Sequence, residues 1–254
     1  MFNLGIASSV ARKHDYSWEY TVDFCARYNL SLIQFYWQNP IPRITKLETL
    51  NIAQRYLHLP VKADTTIGFP EHSSKICTDF SEYYKSRNLI LHQPPEQICD
   101  DDKEGSADQL LHQLNGLNFR LGLENDYSES LTGFQSGLDI CSRHNFQFFA
   151  VFDIHKFFHR FYRTHSVGQI VQACADLFLY CRKLNLTLLL HIIDSGSFAA
   201  DRDLWCPVFE GVIPYRQIFE LIKASRVNCE GIILEYEDEL MAAESIRRLR
   251  DISI

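Results

Sequence analysis

Short apolar runs alternate with helix-forming segments along the chain, and this alternation most constrains how it can fold. Four of the runs end on a residue that can bind a metal ion. They are Arg120–Glu124, Phe148–Asp153, Leu186–His191 and Gly231–Glu235. In a barrel of parallel strands joined by helices, the C-terminal ends of all strands open onto one face. Ligands far apart in the sequence would therefore converge at the mouth of such a barrel.

The predicted elements form an α/β protein, a (β/α)8 TIM barrel, with one domain over residues 1–254. The runs are apolar throughout, as expected for parallel strands that are buried on both faces. We predict strands at Asn3–Ser8, Leu30–Trp37, Pro60–Asp64, Leu89–Gln93, Phe119–Glu124, Phe148–Ile154, Leu186–Ile193 and Gly231–Tyr236. We predict helices at Tyr16–Tyr28, Thr45–Leu57, Ser73–Lys85, Ala107–Leu117, Ser128–His144, Val167–Leu184, Pro214–Ala224 and Asp238–Arg250. The start of the second helix is predicted from a capping box formed by Thr45 and Glu48.

Composition narrows the class of protein. The net charge of −7 argues against a general nucleic-acid binder, because neutralising phosphates needs a basic surface. No apolar run approaches the length of a membrane span, and no signal peptide is evident at the N-terminus. The eight cysteines are scattered without a CxxC pair, which favours reduced thiols over a disulfide framework. We therefore expect a cytoplasmic protein with no nucleic-acid or membrane partner.

The four strand-end residues Glu124, Asp153, His191 and Glu235 predict a divalent metal site. Three carboxylates brought together would raise one another's pKa unless a cation intervened. An oxygen-rich set with one imidazole suits one Mn²⁺, Co²⁺ or Mg²⁺ better than structural Zn²⁺, which favours Cys and His. The alternative is that these residues are polar strand ends that face solvent.

Further candidates for substrate contacts lie near predicted strand ends. The long loop Asp194–Ile213 follows the His191 strand, and loops of this length in compact domains often bind ligands. Within it, Arg202 could bind a hydroxyl or an anionic group. Trp37 and Trp205 could form an aromatic wall against the carbon face of a sugar. Each of the three could instead be an ordinary surface or core residue.

Five motifs from Leu121 onward resemble the xylose isomerase-like barrel superfamily. They are LGLEN, FDIH, LLLHIID, EGVIPY and ILEYE. This superfamily includes sugar isomerases and epimerases, hydroxypyruvate isomerases, inosose dehydratases and, more distantly, endonuclease IV-type enzymes. The order and spacing of the elements match over the whole chain, although each motif is short.

The resemblance implies a function for the predicted site. Carried over by position, Glu124, Asp153, His191 and Glu235 would bind one divalent cation. The chain would be a metal-dependent sugar or hydroxy-ketone isomerase or epimerase that transfers a proton through a metal-stabilised cis-enediolate. Glu124 and Glu235 would approach opposite faces of the reacting carbon as acid and base. Relatives are often dimers or tetramers, so the resemblance leaves a homo-oligomer open.

The sixth strand departs from the superfamily pattern. Many relatives carry Asp-x-x-His here, whereas this chain has Asp153-Ile154-His155-Lys156. On an extended strand Asp153 and His155 would share a face, so His155 could be a substrate contact, a further ligand or a partner of a ligand. Lys156 takes the usual His position and could meet an anionic substrate. His92, at the end of the fourth strand, is either a substrate contact or a hydrogen-bonded core histidine.

Two alternative functions stay open. An endonuclease IV-like phosphodiesterase would need further zinc ligands on strands 3 and 4, and the predicted strand 3 offers only Lys62 and Asp64. Its Asp-Arg-His loop motif is matched only by Asp201–Asp203, with Asp in place of His. A barrel that binds a ligand or partner without turnover is the other alternative, because a fold alone does not guarantee activity.

Overall fold

Eight parallel strands close into a barrel, which confirms the predicted fold class. The computed structural model describes residues 2–60, 69–92, 118–126, 131–143, 147–199 and 201–252. The barrel strands are β1 (Leu4–Ala7), β2 (Leu32–Tyr36), β3 (Gln54–His58), β4 (Asn88–His92), β5 (Arg120–Glu124), β6 (Gln147–Asp153), β7 (Thr187–Ile192) and β10 (Asn228–Leu234). A separate antiparallel pair is formed by β8 (Asp194–Ser195) and β9 (Trp205–Cys206).

Helices connect the strands in the described ranges. The α-helices are α1 (Trp18–Arg27), α2 (Phe69–Tyr84), α3 (Leu131–Arg143), α4 (Ile154–Phe161), α5 (Val167–Lys183), α6 (Tyr215–Ser225) and α7 (Glu239–Arg250). Short 3₁₀ helices cover Ser8–His14, Thr45–Thr49 and Arg202–Leu204. The described helices include none long and apolar enough to cross a membrane.

Each barrel strand pairs with the next barrel strand along the chain, so that β7 pairs with β10, and β1 closes the barrel by pairing with both β2 and β10. The outer faces of the strands and the inner faces of the helices form the main apolar core. There Trp18 of α1 stacks on Phe35 of β2, with ring centroids 4.2 Å apart. Helix α5 begins with a capping box, in which Ser166 and Gln169 satisfy each other's backbone N–H groups.

The barrel interior consists of an apolar layer beneath a polar one. The apolar layer is formed by Ala7, Leu32, Tyr56, Ile90, Phe149, Val151, Leu189 and Ile233, all fully buried. Side chains two positions apart on a strand share a face. The polar layer is formed by Gln34, His58, His92, Glu124, Asp153, His191 and Glu235, and all of these except Glu124 stand two positions after a member of the apolar layer. Strand alternation therefore aims these side chains at the C-terminal mouth of the barrel.

The prediction for strand 3 was wrong. Residues of the predicted helix Thr45–Leu57 form a 3₁₀ turn at Thr45–Thr49 and the strand β3 at Gln54–His58. The capping box is absent too, since Ile44 precedes the turn and makes no side-chain cap. Pairing of β3 with β2 and β4 outweighs the local helical signal. Residues 61–64 of the predicted strand, including Lys62 and Asp64, and the predicted helix Ala107–Leu117 lie outside the described residues.

The sixth strand also ends earlier than predicted. Strand β6 stops at Asp153, and α4 starts at Ile154. Asp153 caps this helix, because its side chain accepts a hydrogen bond from the backbone N–H of Lys156 at 2.9 Å. His155 and Lys156 are therefore helical, and the expectation that His155 continues the face of Asp153 along an extended strand was wrong.

Candidate metal centre

Glu124 lies at the centre of the polar layer. Its side chain is completely buried, and its two carboxylate oxygens face different partners. Oε2 lies 2.8 Å from Nε2 of His58 and 3.5 Å from Nε2 of His92. Oε1 lies 3.1 Å from Nδ1 of His191 and 2.5 Å from the ammonium of Lys156. One carboxylate from β5 therefore joins groups from four other elements of the barrel.

Glu235 approaches the same nitrogen of His191 as Glu124 does. Its Oε1 lies 3.3 Å from Nδ1 of His191 and accepts a 2.9 Å hydrogen bond from the side-chain amide of Gln34. Glu235 follows β10 directly, and its backbone N–H donates to the carbonyl of Ile192. The carboxylates of Glu124, at the end of β5, and Glu235, directly after β10, thus converge on one nitrogen of a buried imidazole.

Two groups of side chains in this layer have the spacing of a metal site. One contains Glu124, His191 and Glu235, and the other contains His58, His92 and Glu124. Within each group the potential ligand atoms lie within 4.8 Å of one another, and all members are buried. Glu124 belongs to both groups, so it could bridge two cations.

The residues present fit a divalent cation. Buried carboxylates with imidazoles are common ligands of Zn²⁺, Co²⁺ and Mn²⁺. Both ring nitrogens of His58 face an oxygen, because Nδ1 lies 2.8 Å from the carbonyl of Leu59 and Nε2 lies 2.8 Å from Oε2 of Glu124. Such a backbone contact fixes the tautomer of a metal-binding histidine. Nδ1 of His92 and Nε2 of His191 are buried and have no hydrogen-bond partner within the described ranges.

Charge interactions set the protonation of the layer. Burial opposes ionisation of Glu124, but Lys156, His92 and His191 outweigh it and hold the pKa of Glu124 well below its usual range. Burial likewise opposes the charge on Lys156, but Glu124, Asp153 and Glu235 raise its pKa well above the ordinary value. Burial lowers the pKa of His92 to about 3. The layer therefore holds ionised Glu124, charged Lys156 and neutral His92.

The carboxylate of Asp153 contacts Lys156 rather than His191. Its Oδ1 accepts the backbone N–H of Lys156, and its Oδ2 lies 3.1 Å from the Lys156 ammonium. Among the described residues, it belongs to neither group with metal-site spacing. The structure thus brings the four predicted ligands to one end of the barrel, with three of them in a single group.

The remaining sequence candidates lie around the mouth. His155 is buried at the start of α4, with its ring 6.5 Å from that of Trp205. Arg202 is paired with Glu237 at 2.6 Å, and its guanidinium lies 5.7 Å from the Trp205 ring. Trp37 follows β2, donates its backbone N–H to the carbonyl of His58 and packs on the main core. His92 faces Glu124 inside the barrel.

Three residues of the layer were missed by sequence reasoning: Gln34, Tyr36 and His58. Gln34 interrupts the apolar strand LIQFY at an inward position, which is a readable sign of a polar interior contact. Tyr36 lies edge-on to His58 with ring centroids 5.5 Å apart. His58 was hidden by the wrong helix prediction, although His58-Leu59-Pro60 repeats the His-x-Pro spacing found at His92.

The side chain of Asp194 orders the loop after β7 through hydrogen bonds to its backbone. The buried carboxylate of Asp194 accepts backbone N–H groups from Ser195, Phe209, Gly211 and Ile213 at 2.9 to 3.4 Å. A Cβ at Gly211 would overlap Asp194 Oδ1 and the Ser195 carbonyl, so only glycine allows this close approach. This anchoring positions Arg202 and Trp205 beside the mouth.

Comparison with solved structures shows that the chain shares the TIM-barrel fold with proteins of low sequence identity, one of which is named as xylose isomerase-like. The chain is similar to the probable 3-DHS dehydratase AsbF of petrobactin synthesis from Bacillus anthracis, with 13% identity and a TM-score of 0.67 over 98% of this chain and 99% of that chain. It is similar to the IolI protein with a bound zinc atom, with 13% identity and a TM-score of 0.67 over 98% and 95% of the two chains.

A third similar structure is a fusion of a xylose isomerase-like TIM barrel with 4-hydroxyphenylpyruvate dioxygenase. The identity is 10% and the TM-score 0.64, over 98% of this chain and 42% of the fusion. No protein-family model matches the chain, and no curated protein matches it. At these identities the similarity establishes the fold, and function must be argued from the site.

Proposed function

We propose that this protein is a divalent-metal-dependent isomerase or epimerase that transfers a proton on a sugar or small hydroxy-ketone. The observation that carries this proposal is the pair of carboxylates of Glu124 and Glu235, which lie 3.1 and 3.3 Å from the same nitrogen, Nδ1 of His191, in the buried mouth of the barrel. Two carboxylates on separate strands can remove a proton on one side of a carbon and return it on another. IolI holds a zinc atom and AsbF is a probable dehydratase, so the similar structures support a metal-binding enzyme, while the choice of isomerase or epimerase rests on the two carboxylates.

Each residue of the layer has a role in this proposal. Glu124, Glu235 and His191 would hold the cation together, and Glu124 and Glu235 would also move the proton. Gln34 orients Glu235 through its 2.9 Å hydrogen bond. When bound, the divalent cation would polarise the substrate oxygens and stabilise the negative charge that proton removal leaves. The apolar layer beneath the site excludes water from below, which strengthens these charge interactions.

The donor types suggest which metal each group would prefer. The Glu124–His191–Glu235 group has two carboxylates and one imidazole, which suits Mn²⁺, Co²⁺ or Mg²⁺. The His58–His92–Glu124 group has two imidazoles and one carboxylate, which suits Zn²⁺ or Co²⁺. We propose the first group as the catalytic one, because it contains both proton-transfer carboxylates.

Proton transfer can be tested before the substrate is known. We expect the metal-loaded protein, mixed with a panel of sugars and hydroxy-ketones in D₂O, to introduce deuterium next to the carbonyl of at least one compound. Mass spectrometry or NMR reads out the exchange without assuming a product. Glu235→Gln should lower the exchange rate about 100-fold or more, because the amide cannot accept the proton.

Glu48→Gln is the matched control, since Glu48 is exposed on the turn before β3. This variant should exchange at the wild-type rate. Equal exchange by wild type and Glu235→Gln would remove Glu235 from the reaction. An absence of exchange across the panel, with metal bound, would count against proton transfer and favour a barrel that binds its ligand without turnover.

A second candidate, phosphodiester hydrolysis, gains support from His58. The sequence argument against it relied on strand 3 lacking a histidine, and His58 on β3 overturns that argument. His58 and His92, with ring centroids 5.0 Å apart, could hold a second cation with Glu124. Two points still disfavour this reaction: Asp203 is exposed where a further ligand would be needed, and the net charge is −7. Cleavage of an abasic-site duplex by the zinc-loaded protein would favour it.

A further inference from the structure

Lys156 places a positive charge among the carboxylates of the barrel mouth. Its ammonium lies 2.5 Å from Oε1 of Glu124 and 3.1 Å from Oδ2 of Asp153. Only 12% of its side chain is exposed, and the Glu124 side chain is fully buried. An ammonium held this closely by two buried carboxylates makes strong, poorly screened interactions.

The position of Lys156 follows from the start of α4. Asp153 ends β6 and caps the helix, so Lys156 lies in the first helical turn and its side chain returns over the strand ends. The same oxygen of Glu124 that meets Lys156 also lies 3.1 Å from His191. The ammonium therefore shares a ligand oxygen with the Glu124–His191–Glu235 group.

Charge counting shows what the lysine changes. Glu124, Asp153 and Glu235 supply three negative charges when ionised, and Lys156 neutralises one of them. A divalent cation entering this layer meets a smaller net negative charge than three carboxylates alone would offer. It must also compete with the ammonium for Glu124 and for Asp153.

We propose that Lys156 is a built-in cation that holds Glu124 and Asp153 together without a metal, keeps Asp153 from acting as a ligand and weakens divalent-metal binding. This inference rests on the proposed cation site, and it assigns to Lys156 an effect on the affinity of that site for a divalent metal. A metal that enters the native layer would use Glu124, His191 and Glu235, while Asp153 stays with Lys156.

Metal affinity of Lys156→Met tests this inference directly. Methionine keeps an unbranched side chain only one heavy atom shorter and removes its charge. After removal of metal with a chelator, we expect calorimetric titration with Mn²⁺ or Co²⁺ to give binding about tenfold tighter, or more, for Lys156→Met than for wild type. Lys46→Met is the control, because Lys46 is exposed and pairs with Asp23 on the surface. It should bind metal as wild type does.

A double-mutant cycle identifies Asp153 as the partner of Lys156. In the Lys156→Met background, Asp153→Asn should weaken Mn²⁺ binding about tenfold, because Asp153 is then free to act as a ligand. In the wild-type background the same substitution should change the affinity about threefold at most. Equal effects in both backgrounds would overturn the assignment of Asp153 to Lys156.

Thermal unfolding without metal provides a readout independent of binding. Chelator should lower the melting temperature of wild type less than that of Lys156→Met, since Lys156 already neutralises one of the three carboxylates. Lys156→Met should melt lower in chelator and recover with Mn²⁺. The variant Asp153→Asn/Lys156→Met, which removes one charge of each sign, should melt above Lys156→Met in chelator. A Lys156→Met protein that melts like wild type without metal would overturn the proposal.

The outcomes separate this inference from the proposed function. If wild type and Lys156→Met both bind metal and Lys156→Met binds it more tightly, the result supports the metal site and the role of Lys156. Binding by Lys156→Met alone supports the role of Lys156 and contradicts a metal-dependent reaction in the native chain. Equal binding by the two proteins overturns the role of Lys156 and leaves the metal site standing. Binding by neither protein overturns both.

Discussion

At the scale of single residues, Glu124 organises the barrel mouth. Its carboxylate meets His58, His92, His191 and Lys156, each from a different element. A buried carboxylate is stable as an anion only when such donors and cations surround it. The residues around Glu124 therefore determine both the stability of the layer and its capacity to hold a cation.

Removing His58 should destabilise the metal-free protein. His58→Phe deletes the 2.8 Å contact to Glu124 and leaves a buried carboxylate oxygen with one partner fewer. We expect the free energy of unfolding to fall by about 1–3 kcal/mol. Chemical denaturation in the presence of chelator measures this change.

His165→Phe is the control, because His165 is exposed after α4. It should change the unfolding free energy by about 0.5 kcal/mol at most. Equal stability of the two variants would mean that the His58–Glu124 contact does not stabilise the layer.

Site residues could be predicted from the sequence where the strand that carries them was itself predicted. Apolar runs such as LGLE end on Glu124, His191 and Glu235, and the structure brings these three residues together. His58 was missed because its strand was taken for a helix. The contact of Lys156 with Glu124 depends on α4 starting at Ile154, and a hydrophobic pattern that suits both strand and helix does not locate such a boundary.

At the scale of elements, the loop between β7 and α6 acts as a scaffold. The buried carboxylate of Asp194 accepts hydrogen bonds from four backbone N–H groups, and β8, which begins at Asp194, pairs with β9. The sequence predicts the loop from its length and composition. It gives no sign that Asp194 rather than a glycine turn orders the segment, because the four donors come together only in three dimensions.

Gly211→Ala should therefore loosen this loop. The added Cβ would overlap Asp194 and the Ser195 carbonyl, so the backbone would have to move. We expect a loss of about 1–3 kcal/mol in the free energy of unfolding. Faster amide hydrogen exchange across residues 194–213 should accompany it.

Gly168→Ala provides a matched comparison within α5. The nearest atom to its added Cβ is Ser166 Oγ at 4.0 Å, so no overlap results. This variant should be neutral or more stable by up to about 1 kcal/mol, because alanine favours the helix. A Gly211→Ala protein as stable as Gly168→Ala would contradict the close approach to Asp194.

At the scale of the whole molecule, the barrel divides its interior into two layers. The apolar layer around Phe149 and Val151 fills one part of the barrel, and the polar layer around Glu124 lies toward the C-terminal mouth. The alternation of apolar runs with helices predicts a parallel sheet buried on both faces, and eight such runs in a chain of this length are typical of a closed barrel. The position of β3 depended on pairing between strands, which local propensity does not encode.

Location of a bound cation tests the central claim most directly. Crystals of the native chain grown with millimolar Co²⁺ should give an anomalous diffraction peak at the barrel mouth. We predict a peak in contact with Glu124, His191 and Glu235, while Asp153 remains paired with Lys156. A barrel mouth without a peak, or cobalt bound only by surface carboxylates, would contradict the account.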